Sequence, residues 1–185
     1  MNLEALQKSI EQLGAKIPPV EKWNPPLSGD IDINIDRDGR WFHEGAEIKR
    51  QTLVKLFSSI LKKEGEDYFL VTPVEKWRID VSLAPLMVVA LEARDIDGQQ
   101  VLVFHTSVDD QVILDDQHPI RLVTLPDTEE TVPLVLVRRN LEAALHRNQY
   151  YELINNFAQP AGEGSSEYVV ESCGSQFVVG TGSPD

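Results

Sequence analysis

Apolar and polar residues alternate one by one along much of this chain, and Asp-Gly pairs punctuate the alternation. Ile31, Ile33 and Ile35 interleave with Asp32, Asn34 and Asp36, which makes a strand with one apolar and one polar face. Asp38-Gly39 supplies a hairpin turn, and the short run RWFH returns as a second strand ended by Gly45. The same device recurs where Asp97-Gly98 separates the strand candidates Leu86–Ala93 and Gln99–Thr106. Further strands are expected at Tyr68–Val71, Lys76–Val81, Gln111–Leu114 and Ile120–Leu125. Tyr168–Val170 and Gln176–Val179 close the chain as a hairpin around Ser172–Gly174, before a frayed tail TGSPD.

Helical spacing occurs in three places. Leu3, Leu6, Ile10 and Leu13 define a short amphipathic helix stopped at Gly14, expected to pack on the body. Apolar positions from Ile48 to Leu61 predict a second helix, and Leu141, Leu145, Tyr150 and Leu153 predict a third from about Asn140. The prolines of IPPVEKWNPPLSG exclude a regular helix there and leave an extended strap, with Trp23 as its anchor. The fold class is therefore α+β. Helix 48–61 is followed by loop, strand, turn and strand, and helix 140–157 by the same order. Both helices follow an extended segment with a basic pair, so a duplicated helix-plus-antiparallel-sheet module is expected. The domain reading is an N-terminal helix and strap over 1–29, then α+β domains over 30–85 and 86–185.

Charge narrows the function. The 185 residues carry a formal net charge of -13, which repels polyanions and anionic membranes unless a local basic patch overcomes it. The longest basic runs are the pairs Lys49-Arg50, Lys62-Lys63 and Arg138-Arg139, too thin to track a nucleic-acid backbone. No partner of that class, and no membrane, is expected. The single cysteine, Cys173, excludes an internal disulfide. No secretory leader is expected at MNLEALQKSIEQLG, and the longest apolar run, LAPLMVVALEA, falls short of the roughly 20 residues of a membrane span. These features predict a cytoplasmic protein.

Several chemistries are weighed by spacing. Asn34, Asp36, Asp38 and Gly39 stand where an EF-hand loop begins, but Gly45 occupies the place of its bidentate glutamate and the flanks read as strands. A hairpin turn with solvated carboxylates is the better reading, and no metal is expected. His43, His105, His118 and His146 form no zinc motif. Cys173 lies in VESCGSQF without a basic neighbour, and no nucleophile elbow or phosphate-cradling glycine loop is present. No catalytic residue is assigned, and no cofactor is identified.

The charged hairpin is what remains. Alternation puts Lys76, Arg78 and Asp80 on one face and Trp77, Ile79 and Val81 on the other, with Glu75 at the turn after Pro73. A solvated sheet face is the plain explanation. Arg50 and Arg138-Arg139 precede the two helices in corresponding places, and duplication would bring several cations to one groove. Arginine's planar fork suits phosphate or carboxylate. Trp41, Tyr68 and Tyr150 offer rings on which a base stacks, although such rings more often pack in cores. The candidate ligand residues are thus Arg78, Lys76, Arg50, Arg138, Glu75, Trp41 and Tyr150.

PPVEKWNP, DINIDRDGRWFHEGAEIKRQTLVKLFSSIL, YFLVTPVEKWRIDVSLAPL and VPLVLVRRNLEAALHRNQYYEL together resemble the bacterial family designated domain of unknown function 1285, over about Pro18 to Gly180. The resemblance implies a duplicated α+β core whose second domain is similar to a pleckstrin-homology-like barrel. It also implies a nucleotide-type ligand in the groove between the domains and a role in signal transduction. The expected function is ligand binding or regulation. Two alternatives stand beside it: a small hydrolase using carboxylates of the Asp30–Asp38 region, and a protein-interaction adapter using the N-terminal helix or a barrel edge.

Overall fold

A computed structural model of the protein describes residues 3–14 and 17–182. The end of the expected frayed tail, 183–185, lies outside the described residues. The chain divides into two compact units, one running up to Pro85 and one starting at Leu86.

In the first unit α1 spans Leu3–Glu11 and buries Leu6 and Ile10. The helix packs against α2, Gln51–Ser59, within the unit. The proline-rich strap contains a single 3-10 turn, Val20–Lys22. It joins the sheet early, because β1 already runs from Leu27 to Ile35 and the expected segment 1–29 is not separate from the unit. Ile31, Ile33 and Ile35 are buried as the alternation requires. The Asp38-Gly39 turn leads into β2, Trp41–His43, and a second tight turn at Glu44-Gly45 leads into β3, Ala46–Glu47.

The second helix is shorter than its apolar spacing predicts. Ile48–Arg50 precede it, and Leu61 belongs to β4, Leu61–Glu64. The Ile60 N–H bonds the Phe57 carbonyl at 3.2 Å, closing the last turn and freeing Leu61 to pair with Leu70. Strands β5, Asp67–Val71, and β6, Lys76–Val81, complete the sheet. Its order is β3-β2-β1-β6-β5-β4, antiparallel throughout except for the parallel β1–β6 pair.

The second unit contains β7 Leu86–Ile96, β8 Gln99–Thr106, β9 Gln111–Ile113, β10 Ile120–Thr124 and β11 Thr131–Arg138. The helix expected from Asn140 is corrected here. Residues Leu141–Leu145 form β12, and α3 is Arg147–Phe157. Arg139 turns the chain with a φ of 54°, so Leu141 pairs back with Arg138 and the run LEAAL becomes a strand. It lies between β11 and β7 and buries Leu141, Ala143, Ala144 and Leu145. Burial on both faces overrides the helical propensity of Leu, Glu and Ala.

The sheet order is β10-β11-β12-β7-β8-β9, with β12 and β7 parallel. Read from the other edge, this is the same strand sequence and direction as in the first unit. In each, two three-stranded meanders join through a parallel pair of their first and last strands. The helix lies in a different place: α2 links the meanders of the first unit, whereas α3 follows the second meander of its unit.

After α3 come β13 Gln159–Pro160, β14 Glu167–Ser172 and β15 Ser175–Thr181, a separate antiparallel sheet. It packs against β8, β10 and β11. Its Cys173-Gly174 turn uses φ of 54° and 76°, and the Cys173 N–H bonds the Gln100 carbonyl at 3.0 Å. No helix among the described residues is long and apolar enough to cross a membrane.

Candidate functional site

Pairing across β4, β5, β6 and β1 puts Lys62, Phe69, Arg78 and Asp30 in one row on one face of the first sheet. Phe69 is buried at the centre, only 4% exposed, because charged stems lie over it. The Lys76 Nζ stands 4.7 Å from its ring centroid and the Arg78 Cζ 5.7 Å. Both cations thus pack an aliphatic stem on apolar surface and hold their charge over the ring face.

Carboxylates interleave with the cations. Lys76 Nζ donates to Glu64 Oε2 at 2.7 Å, and Lys62 Nζ reaches Glu64 Oε1 at 3.1 Å. Lys62 also donates to the Trp23 carbonyl and to Asn24 Oδ1, both at 2.9 Å, which ties the strap to the sheet. The Lys76 hydrogen bond, with further help from Lys62, holds the Glu64 carboxyl below its ordinary range despite partial burial. Arg78 is held more loosely. Its Nη1 lies 3.6 Å from Asp30 and its Nε 4.0 Å from Asp67, and that buried Nε has no hydrogen-bond partner. Lys76 is bonded to Glu64, whereas the Arg78 side chain, 42% exposed, meets its carboxylates only at ion-pair distances.

The other expected ligand residues are dispersed. Arg50 is the exposed N-cap of α2 and makes no side-chain cap bond. Glu75 closes the β5–β6 turn through its backbone, its carbonyl accepting from the Thr72 N–H at 2.9 Å. Trp41 is a core residue rather than a stacking platform: it is 3% exposed and stacks on Phe57 at 6.4 Å. Arg138, in the second unit, forms a largely buried ion pair with Asp110. Tyr150, also there, is half-buried on α3 and stacks on Tyr151 at 6.3 Å; burial raises its phenol pKa.

Lys62, Glu64 and Phe69 were not expected at this face. The run LKKEGEDYF is a strand, a Gly65 turn and a strand, with Lys62 and Glu64 on one side. A helix assigned through Leu61 hides that period of two.

The motifs weighed for other chemistry resolve locally. Asp36 Oδ1 accepts the Asp38 and Arg40 N–H groups, each at 2.9 Å, and Oδ2 accepts Arg40 Nε at 2.9 Å. That carboxylate organises the β1–β2 turn. His105 pairs with Glu92 at 3.2 Å and His118 with Asp115 at 2.9 Å. Among the described residues no group of three or more His, Cys, Asp or Glu is arranged to hold a metal.

Comparison with known proteins places the chain. The N-terminal domain of domain of unknown function DUF1285 matches residues 18–84, and the C-terminal domain of the same family matches residues 85–179. A DUF1285 family protein from Silicibacter pomeroyi DSS-3 is 41% identical, with a TM-score of 0.86 over 97% of this chain and 95% of that one. A DUF1285 family protein from Shewanella baltica OS155 is 30% identical, with a TM-score of 0.54 over 69% of this chain and 93% of that one. No curated protein matches. With both domains matched in order over most of its length, the chain belongs to the DUF1285 family.

Proposed function

We propose that this protein is a non-enzymatic ligand-binding or regulatory protein that receives an anionic, nucleotide-type group on the β4–β5–β6 face of its first unit, with Arg78 as the anchoring cation. The observation that carries the reading is the loosely held Arg78 guanidinium: its buried Nε has no hydrogen-bond partner and lies 4.0 Å from Asp67, and its Nη1 lies 3.6 Å from Asp30. A phosphate oxygen meeting the exposed part of that guanidinium would add a charge-assisted bond that neither carboxylate supplies at hydrogen-bond distance. Lys76 contributes by sharing its ammonium between Glu64 and the anion. With Glu64, Asp67 and Asp30 close by, affinity depends on directed bonds rather than on surplus charge. The role in signal transduction follows from the family resemblance alone.

The repeated strand order supports an origin by duplication, with the two meander pairs as the copies in place of segments 48–81 and 140–179. A likeness of the second unit to a pleckstrin-homology-like barrel is supported only by its largely antiparallel strands and the single helix α3 against β7 and β14.

Calorimetric titration with nucleoside mono-, di- and triphosphates and cyclic nucleotides, on wild type and Arg78→Ala, tests the reading. Losing a charge-assisted bond costs roughly 1.5–3 kcal/mol, about a tenfold to hundredfold loss of affinity. Binding unchanged in Arg78→Ala removes Arg78 as the anchor, and no binding by any of these anions removes the function proposed.

A further inference from the structure

In the second unit α3 packs against β7, yet β7 stays exposed from Glu92 to its end at Ile96. Strand β7 pairs with β12 only through Leu86, Met87 and Val88, and the ladder ends where the His146 N–H meets the Val88 carbonyl. From Ala90 to Ile96 the strand pairs, among the described residues, with β8 alone. Its partner positions Val101–Phe104 are buried, yet Val89, Ala90 and everything from Glu92 to Gln99 are exposed. A strand of this kind is a template for another strand.

The hairpin geometry says which backbone groups are available. The two-residue Asp97-Gly98 turn makes Ile96 and Gln99 its closing pair. Counting back from it, Arg94, Glu92 and Ala90 direct their N–H and C=O groups to β8, and Asp95, Ala93 and Leu91 direct theirs outward. Among the described residues no backbone hydrogen bond outside the strand ladders reaches those three.

The side chains choose the partner. Glu92 and Arg94 share a face and form a bidentate pair, Nε to Oε1 at 2.7 Å and Nη2 to Oε2 at 2.9 Å. Arg94, and after it His105, holds the Glu92 carboxyl down to about 2, so both charges persist at neutral pH. Consider this edge laid antiparallel on itself. With Ala93 opposite Ala93 of a second copy, Leu91 faces Asp95, which makes about six backbone bonds from the outward groups. In that register Glu92 stands opposite Arg94 of the other copy, twice, at the closer non-hydrogen-bonded positions. The exposed Ile96 side chain covers Ala90 of the other copy. A shift of the two-fold to Glu92 or Arg94 sets like charges face to face, so charge selects the Ala93 centre.

We propose that the exposed β7 edge, Leu91–Asp95, is an interaction surface for a second copy of this chain, forming an antiparallel β7–β7 ladder about Ala93 with Glu92–Arg94 pairs across the two-fold. A strand pair alone buries less than the roughly 800 Å² per partner of a standard interface, so the dimer is weak and concentration-dependent.

Sedimentation velocity from about 1 to about 200 μM reads the association, since a micromolar Kd falls in that window. Wild type is expected to pass from monomer to dimer. Glu92→Arg and Arg94→Glu each set like charges across the two-fold and are expected to weaken self-association at least tenfold. Mixing those two variants is expected to restore a dimer, as is the double variant Glu92→Arg/Arg94→Glu. Ala93→Pro removes the central N–H and is expected to be monomeric, with circular dichroism confirming that each variant is folded. A wild type that stays monomeric across the range overturns the proposal, even if the edge then captures a peptide of another protein. So does a dimer that all of these substitutions leave unchanged.

Discussion

Gly29 lies opposite Trp77 in the parallel β1–β6 ladder, and the indole occupies the space a side chain at Gly29 would need. A Cβ there would stand 3.3 Å from Trp77 Cζ3, tighter than ordinary contact. The backbone φ of 141° is also a conformation that only glycine adopts freely. Two independent costs therefore meet at one position beside the candidate site. Gly29→Ala is expected to lower stability by about 1–3 kcal/mol in urea unfolding. Combining it with Trp77→Leu should return only the contact part of that loss. A Gly29→Ala variant as stable as wild type would show that neither constraint is felt.

Much of this arrangement is legible in the sequence. Ile31, Ile33 and Ile35 announce β1, and Asp38-Gly39 and Asp97-Gly98 mark hairpins where the structure has them. Lys76 and Arg78 share a face opposite Ile79, as alternation requires. What is not legible depends on burial from outside the segment. Leu141–Leu145 satisfies helical spacing and becomes a strand because β11 and β7 lie on either side of it. Trp41 looks available as a ring and is spent on Phe57. Arg138 looks like a spare cation and is paired with Asp110, a residue 28 positions away that no local pattern connects to it. Phe69 reads as an ordinary core residue, and only the pairing of three strands shows that it organises the cations above it.

The Glu64–Lys76 pair gives that face a pH signature. Lys76 first, and Lys62 after it, lower the Glu64 pKa from its ordinary 4.5. A carboxyl lowered on folding contributes stability above its unfolded pKa and loses it as the pH falls through its folded pKa. Glu64→Gln is therefore expected to destabilise at neutral pH, and the difference from wild type should shrink as the pH drops below about 4.5. The Glu64 side chain is 37% exposed, so solvent screening keeps the loss to about 0.5–1 kcal/mol. Thermal unfolding of both proteins between neutral and acidic pH measures it. A difference that grows on acidification would reverse the assigned sign.

Ser172 joins the C-terminal hairpin to the second six-stranded sheet. Its side chain is fully buried, and its Oγ accepts the Leu102 N–H at 3.0 Å. Around it the Cys173 N–H bonds the Gln100 carbonyl, and Gln100 Nε2 donates to the Glu171 carbonyl at 2.7 Å. Three polar contacts thus dock one turn, but only the serine hydroxyl satisfies a buried backbone donor on β8. Ser172→Ala removes the acceptor and leaves the Leu102 N–H stranded away from water, which costs about 1–3 kcal/mol. Ser175→Ala, in the same turn and only half-buried, is the matched control and should stay within about 0.5 kcal/mol of wild type. Amide exchange separates this from a general loss of stability. The Leu102 amide should exchange faster in Ser172→Ala, while Ile33 and Leu70 in the first unit keep their protection. If Leu102 exchange is unchanged, the hydroxyl is not what holds the hairpin to β8.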